Sequence, residues 1–172
     1  MRVATCKTAT RVVLVLCGLA LMACDDGAEP APTGKVVARQ GNEKLPAWLD
    51  VNETMEPALW LRRREVGRPV LATDPEVDRL RRALRQAAER FIEEPRMIAN
   101  RTAQISDALM EMGQPELAVD ILVGMIDVAD ATAHKQIYGA LCQHYLNLRK
   151  SGMERSAALA RLVASYKAQN NL

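Results

Sequence analysis

Aromatic side chains are scarce in this 172-residue chain, with one Phe, two Trp and three Tyr. Strands favour aromatic and β-branched residues. The shortage argues against a β-sandwich and leaves the core to Leu, Ile, Val, Met and Ala, a composition that suits helices. Only two histidines occur, His134 and His144, and beyond residue 24 the only cysteine is Cys142. A strong charge of one sign is also missing, since 23 basic residues face 21 acidic ones. Nucleic-acid binding normally needs a pronounced basic patch, so no nucleic-acid partner is expected. The longest apolar run, Val12 to Ala23, covers about 12 residues, whereas a bilayer-spanning helix needs roughly 20.

That run has a recognisable setting. Arg2, Lys7 and Arg11 are the only charged residues before Asp25, and the apolar stretch follows them. A basic segment followed by a short apolar one is the pattern of a secretory signal peptide, here residues 1–23. It ends in Leu21-Met22-Ala23-Cys24. This resembles the lipobox of bacterial lipoproteins, in which an aliphatic, a variable and a small residue precede the cysteine. The resemblance implies cleavage before Cys24, a diacylglyceryl group on its thiol and acylation of the freed amine. Each buried CH₂ contributes about 0.8 kcal/mol, and two or more chains hold a protein stably on a membrane. Asp25 resembles the residue that retains enteric lipoproteins in the inner membrane, which implies the periplasmic face of that membrane. Loss of Arg2, Lys7 and Arg11 leaves 20 basic against 21 acidic residues. Cys6 and Cys17 leave with the signal and Cys24 is lipidated, so the remaining Cys142 has no intramolecular disulfide partner and reads as a buried thiol.

The mature chain divides into three parts. Residues 24–47 carry Gly27, Pro30, Pro32, Gly34, Gly41 and Pro46 with no apolar period, and read as a flexible tether. Its span would be at most some 75 Å extended, and about 26 Å as a coil. Residues 48–73 are transitional, with a short helix from about Met55 to Glu65 and Pro57 in its first turn. Trp60 lies there beside Arg62, Arg63 and Arg64. The group is a candidate contact with anionic lipid or an acidic partner, or else a solvated helix end whose cations suit the dipole.

Residues 74–172 read as the helical domain. Asp74-Pro75-Glu76 is a helix start, and Val77, Leu80, Leu84, Ala87 and Phe91 share one stripe before Glu94-Pro95 ends it. A second helix is expected over Arg96–Met112, stopped by Gly113. A third opens at Pro115 and carries Leu117, Ala118, Ile121, Leu122, Met125 and Ile126. A fourth runs from about Thr132 to Lys150 with Ile137, Leu141, Tyr145 and Leu148 inward. A fifth covers about Met153–Ala168. The expected fold is all-α, with about five antiparallel helices on short loops.

Leu109, Gly113, Ala118 and Leu122 are spaced as in a tetratricopeptide-repeat hairpin, where Gly closes the first helix and a small Ala lets the second approach. Leu148, Gly152 and Ala157 repeat the pattern 39 residues on, with Arg161 in place of Leu122. Residues 97–168 thus resemble helical-repeat hairpins. The alternatives are a short array of such hairpins, with the helix over 75–93 as a cap, and a generic helical bundle.

No residue constellation points to catalysis, a metal or a cofactor. Cys142 and His144 diverge by about 200° on a helix and cannot chelate together. Asp107 with Glu111, and Asp120 with Asp127, read as surface acids, and Asn100-Arg101-Thr102 as a chance sequon. There is no phosphate-binding loop, nucleophile elbow or zinc-hydrolase helix. The leading expectation is a membrane-anchored, non-enzymatic interaction module of the cell envelope with a protein partner. The alternatives are a pilotin-like chaperone for a secretion-system subunit, and a ligand binder or enzyme with a pocket between helices.

Overall fold

The computed structural model describes residues 45–170, and the signal sequence, Cys24, Asp25 and the expected tether up to residue 44 lie outside them. Among the described residues there are six α-helices and no strand: α1 (Pro57–Val66), α2 (Pro75–Arg90), α3 (Pro95–Glu111), α4 (Ala118–Ala129), α5 (Tyr138–Lys150) and α6 (Arg155–Asn170). None of them is long and apolar enough to cross a membrane.

Local sequence explains most of the boundaries. Proline opens α1, α2 and α3, where its missing N–H is no loss and its fixed φ suits the first turn. The residue before each proline is extended, as the ring requires. Asp74 also caps α2 by accepting from the Glu76 amide at 2.8 Å. The turns after α1, α3 and α5 each use a left-handed glycine, with φ of 66° at Gly67, 71° at Gly113 and 87° at Gly152. Only glycine adopts that backbone without strain.

The helices form three hairpins, α1–α2, α3–α4 and α5–α6. The first helices stack in the order α1, α3, α5 and the second helices in the order α2, α4, α6. The result is a two-layer array, within the all-α class that the sequence implies. In its middle α4 touches each of the other five helices. Its composition fits that place, because every residue except Asp120, Val123 and Asp127 is buried, and a helix apolar on nearly all sides belongs inside. Gly124 lets α6 come close: a Cβ there would lie 3.1 Å from both terminal carbons of Leu159.

Several boundaries differ from the sequence expectation, each for a long-range reason. α2 stops at Arg90 rather than at Glu94, because Phe91 turns extended and pairs with Gln136. The amide of Ile92 donates to Gln136 O at 3.1 Å and that of Gln136 to Arg90 O at 3.0 Å. The same pairing holds residues 131–137 out of helix, so α5 starts at Tyr138 instead of Thr132. Ile137, expected inward, is exposed, while Tyr138 is buried and meets Phe91 edge to face at 4.9 Å. The Glu93 carboxylate then accepts from the amides of Tyr138 and Gly139, both at 2.9 Å, in favourable alignment with the dipole of α5. α4 starts at Ala118, not Pro115, and its first amide donates to Glu65 Oε1 of α1 at 3.0 Å. In the α5–α6 hairpin the buried alanine is Ala158, and Ala157 is exposed.

The stretch ahead of α1 belongs to the body. Leu49 is fully buried, and Leu45 and Met55 pack against the same core. Residues 45–47, expected as the end of the tether, therefore belong to the body, and the transitional segment docks.

Candidate functional site

A groove runs along α3 on its α1 side, and side chains from both helices build it. At the N-terminal half of α3 it is occupied by residues 45–49, an irregular strap that bends at Ala47 and Trp48. Asn100, buried on α3, accepts from the Leu49 amide through Oδ1 and donates to the Leu49 carbonyl through Nδ2, both at 2.9 Å. Arg96 Nη1 donates to the same carbonyl at 3.1 Å. From α1, the Trp60 indole N–H donates to Pro46 O at 2.8 Å and Arg64 Nη1 donates to Ala47 O at 3.2 Å. The strap is thus held chiefly through its backbone, with the Leu49 side chain as its buried anchor.

Towards the C-terminal half of α3 the groove is open. A cavity of about 380 Å³ lies between Leu61 and Arg64 of α1, Ala103, Asp107 and Met110 of α3, and Leu117 ahead of α4. Its accessible lining is mostly apolar, and Met110 and Leu117 are exposed. The charges at its edge neutralise one another: Arg64 meets Asp107 at 2.5 Å and Arg62 meets Glu65 at 2.7 Å. Arg64 marks the join, since Nη1 holds the strap and Nη2 holds Asp107.

At the cavity's edge, with Glu116 in its lining, lies a charge cluster that periodicity does not reveal. Glu116, only 8% exposed, accepts from the Tyr145 hydroxyl at 2.6 Å and lies 3.3 Å from Nε of both Arg149 and Arg155. The contact with Arg149 is a charge contact without hydrogen-bond geometry, because that Nε has no acceptor. Arg149 instead donates from Nη1 to Met153 O at 3.0 Å. Burial, followed by the Glu116 carboxylate, raises the Tyr145 hydroxyl well above the usual range, so it stays a proton donor. The cluster ties the turn before α4 to the α5–α6 hairpin.

The residues singled out in the sequence are placed as follows. Cys24 and Asp25 lie outside the described residues. Trp60, read as part of a contact patch, is fully buried, and its one polar atom is spent on the strap. Arg62 pairs with Glu65, and Arg63 donates from Nε and Nη2 to Val70 O. The Arg64 guanidinium sits 5.5 Å from the Trp60 ring. Arg62 is thus engaged within α1, while Arg63 and Arg64 hold α1 to the segments beside it. Asn100 of the sequon is buried with both amide atoms engaged, which makes it inaccessible to modification in the folded state. Cys142 is buried, which pushes its thiol up to about 12, and His144 lies 6.3 Å from the Tyr166 ring. No group of three or more His, Cys, Asp or Glu that could hold a metal ion occurs among the described residues.

The role of Asn100, read only as part of a sequon, and those of Glu116, Arg149 and Arg155 escaped the sequence reading. Arg149 follows Tyr145 by one turn on an inward stripe, the one local sign of a buried polar cluster.

A family model described as MoxZ matches residues 58–167, from the first turn of α1 into the last turns of α6. No curated protein and no solved structure matches the chain.

Proposed function

The chain belongs to the MoxZ family, and from that membership together with the groove we propose that it is an accessory protein linked to methanol oxidation. It acts by binding another protein rather than by catalysis. Residues 1–23 direct export, and acylated Cys24 anchors it to the periplasmic face of the inner membrane. The family name supplies the process. The observation that supports the mode of action is the open part of the α1–α3 groove, where Met110 and Leu117 stay exposed over a mostly apolar hollow. Its edge charges are already paired, so apolar contact is the interaction that it offers, as in grooves that hold a partner's segment.

Two measurements test this reading. A deletion strain should grow more slowly on methanol while growing normally on a multicarbon substrate, and equal growth on both refutes the process. A tagged full-length chain should fractionate with the inner membrane, cross-link to one envelope protein and take up labelled palmitate, whereas Cys24→Ser should take up no label. A parent chain that takes up no labelled palmitate refutes the anchor.

A further inference from the structure

The segment ahead of α1 holds two apolar side chains away from the body on a backbone that is itself tied down. The bend at Ala47 and Trp48 leaves Leu49 fully buried while Trp48 is 46% exposed. The next corner, from Asp50 to Glu53, is closed by the Glu53 amide donating to Asp50 O and the Asn52 amide donating to Asp50 Oδ1, both at 3.2 Å. Val51 lies at that corner and is 73% exposed. Between the two, Asn100 and Arg96 clasp the Leu49 backbone. Met97, next to Arg96 on α3, is exposed as well.

Trp48 differs from the other aromatic side chains. Trp60, Phe91, Tyr138 and Tyr145 are buried and Tyr166 is half-buried, so Trp48 is the one aromatic that the described residues expose. Single exposed aliphatic side chains are ordinary on a protein surface. An indole, with an apolar body and one N–H donor, suits the boundary between lipid head groups and acyl chains, where tryptophan concentrates.

Position in the chain decides what meets this edge. Trp48 stands three residues past Leu45, where the described body begins, and Leu45 stands 21 residues past Cys24. That length spans at most about 70 Å, so a lipid on Cys24 confines the strap to the neighbourhood of the membrane. Such confinement lets a contact succeed that is too weak to hold a free protein. The edge where the chain enters the body is also the edge that the anchor leads towards the lipid. Asp50 and Glu53 are exposed beside Val51, so apolar contact, and not attraction to anionic head groups, is what this edge offers.

We propose that Trp48 and Val51 dip into the head-group region of the membrane that holds Cys24, which sets the domain with its strap edge against the lipid. This rests on the reading of Cys24 as an acylated anchor and adds an orientation to it.

The test uses the full chain, purified from membranes with its palmitate label and placed in phosphatidylcholine vesicles whose acyl chains are plain or brominated. Bromine quenches an indole that reaches it, and the buried Trp60 serves as the internal reference. The emission of Trp48, taken as the parent minus Trp48→Phe, should be at least halved in brominated vesicles. Val51→Asp should restore most of it with circular dichroism matching the parent, and Val51→Asn gives the same test should the spectrum differ. In cells, p-benzoylphenylalanine at Trp48 should photo-label phospholipid. Equal Trp48 emission in both kinds of vesicle, from a chain that carries palmitate, overturns the proposal and leaves the anchor standing. Equally strong quenching of Val123→Trp in a Trp48→Phe chain also overturns it, because Val123 is exposed on α4 in the other layer and no edge would then be preferred. So does a cross-link from position 48 to a protein, a second copy of this chain included, with none to lipid. A chain that neither carries palmitate nor associates with the vesicles overturns both the proposal and the anchor.

Discussion

Replacing Asn100 with Ala should release the strap before it unfolds the domain. The side chain makes two hydrogen bonds to Leu49, each at 2.9 Å and both buried. Each such bond contributes about 0.5–1.5 kcal/mol net, and a buried group left without a partner costs about 1–3 kcal/mol. Arg96 still serves the Leu49 carbonyl at 3.1 Å, so the orphan in the variant is the Leu49 amide. The expected loss is about 2–4 kcal/mol, comparable to the roughly 1.5–3 kcal/mol that burying a leucine side chain returns. The strap should therefore be near balance between docked and free. Hydrogen exchange at the Leu49 amide should speed up by two orders of magnitude or more, with α4 amides retaining most of their protection. Proteolysis should begin to cut between Asp50 and Thr54. Asn100→Asp should be at least as damaging, because it keeps the acceptor but sets a carboxylate oxygen against the Leu49 carbonyl. If Asn100→Ala unfolds in urea within 0.5 kcal/mol of the parent and Leu49 exchange is unchanged, the clasp does not hold the strap.

Three further outcomes follow from the same contacts. Glu116→Gln keeps an acceptor for Tyr145 but leaves the Arg149 charge uncompensated inside the protein, and should cost about 2–4 kcal/mol in urea titration; a change below 0.5 kcal/mol would show that the cluster is idle. With its thiol pushed up to about 12 by burial, Cys142 should resist alkylation at pH 8 in a chain lacking other cysteines and react fully once denatured, whereas rapid native labelling contradicts the buried placement. Glu56, hydrogen-bonded to Arg81 at 2.5 Å, has its carboxyl held below the usual 4.5. The sign is that of an acid with a depressed folded value: its contribution is complete above the ordinary value and is lost as pH falls through the folded one. The pair is partly exposed and screened, so Glu56→Gln should remove a small part of the stability lost below pH 4.5, and acid titrations that superimpose on the parent would refute it.

The six helices were unevenly legible. α2 declares itself, because Asp74-Pro75 fixes its start and Val77, Leu80, Leu84 and Ala87 fall on one buried stripe. The three glycine stops were also readable, since a left-handed turn leaves few alternatives to glycine. What misled was always a partner distant in sequence. Pro115 looks like a helix opener, but Glu65 of α1 takes the first amide of α4 three residues later. Thr132 to Ile137 looks helical until Gln136 pairs with the backbone around Phe91. The candidate site was hidden for the same reason: Asn100 meets Leu49 across 51 residues. Trp60 with its arginines looked like a surface feature because local sequence cannot say that the indole is buried.

The central place of α4 has a consequence for how this domain can come apart. In a linear repeat array each unit touches only its neighbours, so ends fray and units can be added or removed singly. Here one helix is shared by all five others, and withdrawing either outer hairpin strips part of its apolar surface. The domain should therefore melt as a single cooperative unit, and a break introduced between hairpins should yield insoluble pieces instead of two smaller folded proteins.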